Sequence, residues 1–222
     1  GIRDFTAIRH NWSVNQRLSE LETNYRYMIH YLMAGNKDPE QKRIYKQLVH
    51  DTYTLADDAA EMLLLENASS LFFDKLRTQK VRASLSVEEY RAAISKQMDT
   101  FTFIDLLDDG DEKNARVKQN SLEHEHTLQN FFYEVFTGER ATGKLLEEYK
   151  RFLEDDLIPI EDKSMLVTAL TFNLLQRFDV KKTEFLLDVC QHANPEIAVR
   201  AIIGIVPVFQ KYVRRWELYP EC

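Results

Sequence analysis

Four of the six histidines, with neighbouring carboxylates, are the residues of this chain whose types are best suited to chemistry. Imidazole nitrogens and carboxylate oxygens bind divalent metals, and a bound metal makes hydroxide from water near neutral pH. Such ligands would come from two parts of the chain: His30, His50 and Asp51, then His124 and His126. One hypothesis for this chain is therefore a metal-dependent hydrolase.

The pair His50-Asp51, preceded by His30, resembles the His…His-Asp arrangement of metal-dependent phosphohydrolases of the HD type, which are also all-helical. Here Thr52-Tyr53-Thr54 follows the pair, where that family has small residues and a lysine. His50 and Asp51 also lie off the apolar stripe of their predicted helix, which is typical of solvated positions. This context favours ordinary surface residues over catalysis.

Glu123 and His126 have the spacing that places both side chains on one face of a helix. A di-iron site in a helical bundle needs two Glu-x-x-His pairs and a glutamate from each of two further helices. No other histidine of this chain has a glutamate three residues before it. The pair is half of the motif, and His124 on the apolar stripe of the same helix is predicted to be a hydrogen-bonded core residue.

The acidic loop at residues 108–112 invites a calcium interpretation with Gly110 at the sixth position of an EF-hand. That register places Leu107 and Arg116 where an oxygen ligand and a bidentate glutamate are required. We predict instead that these carboxylates stabilise the positive end of the next helix. Because no glycine-rich phosphate loop, Gly-x-Ser-x-Gly elbow or Cys-x-x-Cys pair occurs either, we predict no cofactor.

Basic and aromatic residues are concentrated near the C-terminal end of the sequence. Arginine and aromatic residues are the preferred anchors of protein interfaces, single-stranded nucleic acid uses the same pairing, and cations also suit a helix C-terminus. The formal net charge of −7 favours a protein partner over nucleic acid. The residues predicted to contact a partner are Arg200, Arg214, Arg215, Trp216 and Tyr219.

Helices must position these groups, because glycine and proline together number only 11 of 222 residues. Apolar residues recur at helical spacing from Val14 to Leu32 and from Ile44 to Met62. Capping boxes are predicted at two helix starts, one formed by Ser13 and Gln16 and the other by Ser86 and Glu89.

A last helix is predicted to begin at the cap Asn194-Pro195, and Pro207 is predicted to kink or interrupt it. The fold class is therefore all-α, with roughly eight helices as consecutive antiparallel hairpins.

Residues 140–178 and 180–213 each have the pattern of a helix pair with an amphipathic outer and a more apolar inner helix. The segment Asn194-Pro195-Glu196-Ile197-Ala198-Val199-Arg200-Ala201 resembles the opening of a HEAT inner helix. The chain is thus similar to HEAT or armadillo repeat proteins and to bacterial proteins of the tetratricopeptide or HEAT-like kind. The resemblance implies a right-handed superhelix, with helical hairpins over 1–138 and repeats over 139–222 in one continuous solenoid. The tetratricopeptide signature is missing, so the repeat class stays open.

We therefore expect a non-catalytic scaffold or adaptor that binds a protein or peptide partner, with a metal-dependent hydrolase as the alternative. The longest apolar run, from Ala201 to Phe209, is too short to span a bilayer, so no membrane insertion is expected. Two cysteines are too few for a disulfide framework, which suits the cytoplasm. We also expect the chain, which begins at Gly1, to be a piece of a longer protein whose neighbouring repeats it would contact.

Overall fold

The computed structural model describes residues 12–35, 39–67, 86–106 and 110–218. Within those residues the chain has eight α-helices, one 3-10 helix and no strand, which confirms the all-α fold class. The helices are α1 (Trp12–Met33), α2 (Gln41–Asn67), α3 (Val87–Asp105), α4 (Asp111–Phe136), α5 (Gly143–Glu154), α6 (Ile160–Gln176), α7 (Val180–Val189), α8 (Pro195–Lys211) and the 3-10 helix Trp216–Leu218.

The contacts divide the chain into two compact units. The first unit comprises Gly1–Ser70 and Arg215–Pro220, and the second comprises Leu71–Arg214 and Glu221–Cys222. In the described residues, the first unit contains α1, α2 and the 3-10 helix, and the second contains α3 to α8. In the second unit α4 packs on α6, so contacts cross the predicted boundary after residue 138.

In the first unit α1 and α2 lie side by side. Val14, near the start of α1, packs with Leu55 and Ala59 from the second half of α2, and these three are the buried residues of this core. The turn after α1 includes Gly35 at φ 79°, a left-handed conformation that glycine adopts without strain. The apolar stripes predicted from residues 14 to 32 and 44 to 62 thus lie on α1 and α2.

The second unit has an aromatic core. Tyr90 of α3, Phe131 of α4 and Phe152 of α5 have ring centroids 4.6 to 5.6 Å apart, and each is at most 3% exposed. Helix α6 packs on both α4 and α8, and α7 packs on both α6 and α8. Consequently α6 is the central helix of this unit, and ten of its 17 residues are buried.

Two of the predicted caps are confirmed. Ser86 accepts a hydrogen bond from the Glu89 backbone N–H, and the Glu89 carboxylate accepts from the Ser86 backbone N–H in return. Asn194 caps α8 by accepting from the backbone N–H of Glu196, with Pro195 as the first helical residue. These caps satisfy amide donors that a helix start leaves without an intrahelical partner.

The capping box predicted at Ser13 is wrong, and of the two effects predicted for Pro207, a kink or an interruption, the interruption does not occur. Ser13 does not cap α1, because the helix already includes Trp12, and the Gln16 amide donates to Glu20 instead. Pro207 does not end α8, which continues to Lys211. The buried residues Ile205 and Val208 hold the helix against its neighbours on either side of the proline, and this packing outweighs the missing backbone donor.

Candidate partner-binding surface

The residues of the HD-like hypothesis lie on α1 and α2 in the first unit. His50 Nδ1 lies 3.2 Å from Asp51 Oδ1, and the same oxygen accepts a 2.8 Å hydrogen bond from the Gln47 amide. His30 is an exposed residue in the last turn of α1. Across the described residues, no group of three or more His, Cys, Asp or Glu side chains is arranged to hold a metal ion.

Glu123 and His126 are both exposed on α4, and each bonds to a neighbour one turn away. The Glu123 carboxylate accepts from Gln119 at 3.1 Å, and His126 Nδ1 lies 3.2 Å from the Asn130 amide nitrogen. At the start of α4, Asp111 and Glu112 occupy the first turn, as the sequence predicted. Residues 108 and 109 of the acidic loop lie outside the described residues.

His124 belongs to a polar network inside the second unit. Its Nε2 lies 3.2 Å from Asp162 Oδ1 and its Nδ1 lies 3.1 Å from Gln97 Oε1. The Tyr90 hydroxyl donates to Asp162 Oδ2 at 2.7 Å. His124 is therefore hydrogen-bonded, as its place on the apolar stripe predicted, but it is half-buried, not fully buried in the core.

Charge and burial shift two pKa values in this network. The hydrogen bond to Asp162 raises the pKa of His124 above its ordinary value, although partial burial opposes the shift. Burial, followed by the hydrogen bond to Asp162, raises the pKa of Tyr90 far above its ordinary value, so Tyr90 stays a hydrogen-bond donor. The network joins α3, α4 and α6, and Asp162 and Tyr90 are almost completely buried.

The predicted partner contacts are divided between the two units. Arg200 and Arg214 are exposed residues of the second unit, and Arg215 and Trp216 belong to the first. Tyr219 lies outside the described residues. The structure therefore does not place this predicted set on one compact unit.

Arg215 is engaged within its own unit. Its guanidinium makes two hydrogen bonds to the Asp57 carboxylate, with Nη2 to Oδ1 at 2.6 Å, and lies 4.9 Å from the centroid of the Tyr53 ring. Its side chain is 15% exposed. Bidentate pairing and stacking on an aromatic face are both typical of a structural arginine.

Arg200 is in a different setting. It is exposed on α8, and its Nη1 donates to Thr168 Oγ1 of α6 at 3.1 Å. Thr168 follows Met165 by three residues and precedes Phe172 by four, so these three residues form one stripe along α6. The guanidinium of Arg200 thus lies beside the only part of α6 that turns away from its packed neighbours.

Phe172 is the most exposed apolar residue of this stripe, at 45%. Its ring meets the rings of Phe132 and Phe136 edge to face, at centroid distances of 6.5 and 6.2 Å. These contacts hold the ring in place while leaving much of it in water. A fixed, half-exposed aromatic ring is the kind of residue that anchors protein interfaces.

A groove of about 570 Å³ lies between α4 and α6 on the same side. Leu122 at its edge is 56% exposed, and Ile203 of α8 is 68% exposed. We call the face formed by Leu122, Phe132, Met165, Phe172, Arg200 and Ile203 the α6 surface. The residues that line the groove are Leu122, Glu125, His126, Leu128, Gln129, Phe132, Tyr133 and Met165.

Most of the α6 surface was missed at the level of the sequence, where only Arg200 was a predicted contact. Met165 and Phe172 belong to a run that is apolar nearly all round, which predicted a helix covered on several sides. A subtler signal was present, because Glu161, Thr168 and Gln176 share a helix face with Met165 and Phe172. Polar residues at this spacing indicate the open side of an otherwise apolar helix.

A scan against protein-family profiles matches no family, and searches of the curated proteins and of the solved structures return no significant match. Within the part of the chain that the structure describes, no helix is both long and apolar enough to cross a membrane.

Proposed function

We propose that this chain is a non-catalytic scaffold or adaptor that binds a peptide segment of a partner protein on the α6 surface. The observation that carries the proposal is the exposed ring of Phe172 with Arg200 hydrogen-bonded to the same α6 stripe. Aromatic residues and arginine are the side chains that contribute most to binding at protein interfaces. Apolar groups that remain exposed at such a place gain free energy when a partner removes them from water.

The helix packing supports a stack of HEAT-like repeats as the frame for this surface. In a stack of helix pairs, corresponding helices of successive pairs lie next to one another. Here α4, α6 and α8 pack in that succession, with α5 and α7 between them along the chain. We propose that they are inner helices of a right-handed repeat array and that their open side forms the binding face.

The charges of the α6 surface suggest which peptide it would accept. Glu125 lines the groove at the α4 side, and Arg200 lies at the α8 side. We propose that the peptide places apolar side chains at Phe172 and in the groove and a carboxylate at Arg200. A nucleic acid fits this surface poorly, since its affinity depends on clustered cations and the chain has a net charge of −7.

The test is a selection of phage-displayed peptides on the full chain, followed by fluorescence anisotropy with the selected peptides. We expect Phe172→Ala to weaken binding about tenfold or more, because it removes the central anchor. The matched control is Phe103→Ala, which removes an aromatic ring that is 71% exposed on α3. Control and wild type should bind the peptides equally.

A second pair of variants tests the role of the positive charge at Arg200. Arg200→Glu should weaken the binding of peptides that contain Asp or Glu more than that of peptides that contain neither. Arg151→Glu, at an exposed arginine of α5, is the matched control. Arg214→Glu and Trp216→Ala extend the test to two further described residues of the predicted contact set. If no peptide is selected, or if the selected peptides bind Phe172→Ala as well as wild type, the proposed binding surface is wrong.

A further inference from the structure

The α1–α2 pair buries little of its own apolar surface. Of its described side chains only Val14, Leu55 and Ala59 are buried, and Leu18, Leu21 and Met62 are partly covered against them. A helix stabilises a fold by burying an apolar stripe against another element, and two helices alone hide too little surface. The half of the pair near the turn has no buried residue among those described. Among the described side chains, the α1–α2 pair therefore leaves most of its apolar residues near the turn exposed.

A groove of about 510 Å³ crosses the middle of the pair. It is lined by two stretches of α1 and α2 in which leucine, valine and tyrosine predominate, and we call it the tyrosine groove. Tyr25 and Tyr45 are 50% and 53% exposed there. The apolar and aromatic residues that line it are Leu18, Leu21, Tyr25, Tyr45, Leu48, Val49, Tyr53 and Ala56.

Tyrosine is concentrated on these two helices. Five of the ten tyrosines of the chain lie on α1 and α2, and all five are at least 36% exposed. Tyrosine supplies a large apolar area with only two rotatable side-chain bonds, so it is enriched at protein interfaces. The composition of this face thus favours a protein as its occupant.

The charges along the α1–α2 pair indicate which protein would occupy the tyrosine groove. In the half near the turn, residues 24–33 and 40–50 carry four cations and one carboxylate. In the opposite half, residues 12–23 and 51–60 carry five carboxylates and one cation, and Arg215 adds one further cation at Asp57. Each half has the charge that the other half would attract. These charges lie around the helix pair, with Glu22 at the tyrosine groove itself, and their net distribution attracts a copy of the pair turned end for end.

The size of the face is adequate for such a dimer. Helix α1 has 22 residues and is therefore about 33 Å long, and two packed helices are roughly 20 Å across. The face offers about 650 Å² per copy, close to the roughly 800 Å² that each partner buries in a standard interface.

We infer that the tyrosine groove binds the tyrosine groove of a second copy of this chain. The two copies are related by a two-fold axis, so that the basic half of each pair lies against the acidic half of the other. The four helices then form a bundle whose core contains the tyrosines and leucines of both copies. This interface is separate from the α6 surface and does not depend on the proposed peptide binding.

The test is the mass of the full chain in solution, measured by light scattering coupled to size exclusion over a range of concentrations. We expect a species of twice the chain mass of 26.2 kDa that dissociates on dilution. Tyr45→Glu should weaken the dimer about tenfold or more, because it places a charge at the centre of the interface. Tyr27→Glu is the matched control, since Tyr27 is exposed on the same pair but does not line the tyrosine groove.

The salt dependence of dimer formation tests the end-for-end orientation of the two copies without any substitution. Raising sodium chloride from about 50 mM to about 500 mM should weaken the wild-type dimer, because it screens the attraction between the oppositely charged halves. A chain that stays monomeric, or a dimer that Tyr27→Glu disrupts and Tyr45→Glu does not, would overturn the inference. A dimer that salt leaves unchanged or strengthens would overturn the end-for-end arrangement.

Discussion

His124 Nε2 lies 3.2 Å from Asp162 Oδ1, and the Asp162 side chain is 1% exposed. The imidazole comes from α4 and the carboxylate from α6, so this pair links two neighbouring helices of the second unit. The Tyr90 hydroxyl, from α3, donates to the other oxygen of the same carboxylate. One buried carboxylate thus joins three helices around the aromatic core.

The raised pKa of His124 predicts how stability depends on pH. A histidine whose pKa is higher in the folded than in the unfolded chain stabilises the fold most when it is protonated in both states. This contribution is fully present below the unfolded value of about 6.5, and it is lost as pH rises through the raised pKa. We therefore expect wild type to exceed His124→Gln in free energy of unfolding by more at about pH 6 than at about pH 8.5.

Urea denaturation of both proteins at the two pH values measures this difference. The charged groups that face His124 are Asp162 and Glu161 of α6 and Glu125 of its own helix, and all three favour the protonated imidazole. The control is His126→Gln, an exposed histidine on the same helix. A difference that stays constant with pH, or that grows toward pH 8.5, would show that His124 does not couple to Asp162 as described.

The Tyr90 hydroxyl is predicted to stabilise the same carboxylate. Tyr90→Phe keeps the ring against Phe131 and Phe152 but removes the 2.7 Å hydrogen bond to Asp162. Loss of a donor to a buried carboxylate should lower the free energy of unfolding by about 1–3 kcal/mol. Tyr149→Phe, at a buried tyrosine that packs on Phe185, is the control and should cost less. Equal losses of unfolding free energy in the two variants would contradict the prediction that the Tyr90 hydroxyl stabilises the Asp162 carboxylate.

The sequence predicted the fold class well because helical spacing and caps are local properties. The apolar stripes of α1 and α2 and the caps at Ser86 and Asn194 depend on residues within a few positions of one another. The interruption predicted at Pro207 does not occur, although local propensity alone marks proline as a helix breaker. The packing of Ile205 and Val208, which lie apart from their partners in sequence, decides the outcome.

The α6 surface was harder to predict than the fold class. The exposure of a side chain depends on which helices pack around it, and these are distant in sequence. Phe172 and Arg200 are 28 positions apart in the chain, and only the packing of α6 against α8 brings Arg200 to the stripe that holds Phe172. Arg215 shows the converse, since its residue type suggested a partner contact while its guanidinium binds Asp57 of its own unit. Residue type indicates which side chains suit an interface, whereas the exposure of each side chain depends on packing between residues far apart in the chain.

Lys182 is predicted to hold the segment after α4. The side chain is 1% exposed, and its Nζ donates to the backbone carbonyl of Glu139 at 2.5 Å and to Asn173 Oδ1 at 2.7 Å. The Asn173 amide in turn donates to the carbonyls of Phe136 and Gly138, both at 2.8 Å. The ammonium group therefore binds the segment just beyond α4 directly, and it orients the Asn173 amide that donates to the Phe136 carbonyl, an acceptor that the end of a helix leaves without an intrahelical partner.

Lys182→Met keeps most of the side-chain volume and removes the charge and its hydrogen bonds. We expect a loss of about 1–3 kcal/mol in the free energy of unfolding, because buried acceptors then lack a donor. Lys181→Met, at the exposed neighbouring lysine, should change stability by less than about 0.5 kcal/mol. Denaturation of both variants by urea at one pH makes the comparison, and a neutral Lys182→Met would show that the ammonium is dispensable.

Gly204 is predicted to set the distance between α6 and α8. A methyl group at this position would meet the side chain of Thr171, overlapping Oγ1 and lying 3.0 Å from Cγ2 and 3.2 Å from Cβ. Thr171 is buried, and its hydroxyl donates to the Val167 carbonyl, so it has little room to move. Gly204→Ala should therefore destabilise the chain by about 1–2 kcal/mol, even though alanine is the better helix former by about 1 kcal/mol.

A double-mutant cycle separates this contact from any other effect of the alanine. Thr171→Ala removes both Oγ1 and Cγ2, so Gly204→Ala should cost less free energy of unfolding in the Thr171→Ala background than in wild type. The two positions touch, and a coupling of about 1 kcal/mol or more is expected for residues in direct contact. Additive effects would mean that α8 moves away from α6 without resistance from Thr171. Close packing at Gly204 would then not be what holds Arg200 beside Thr168 on the α6 surface.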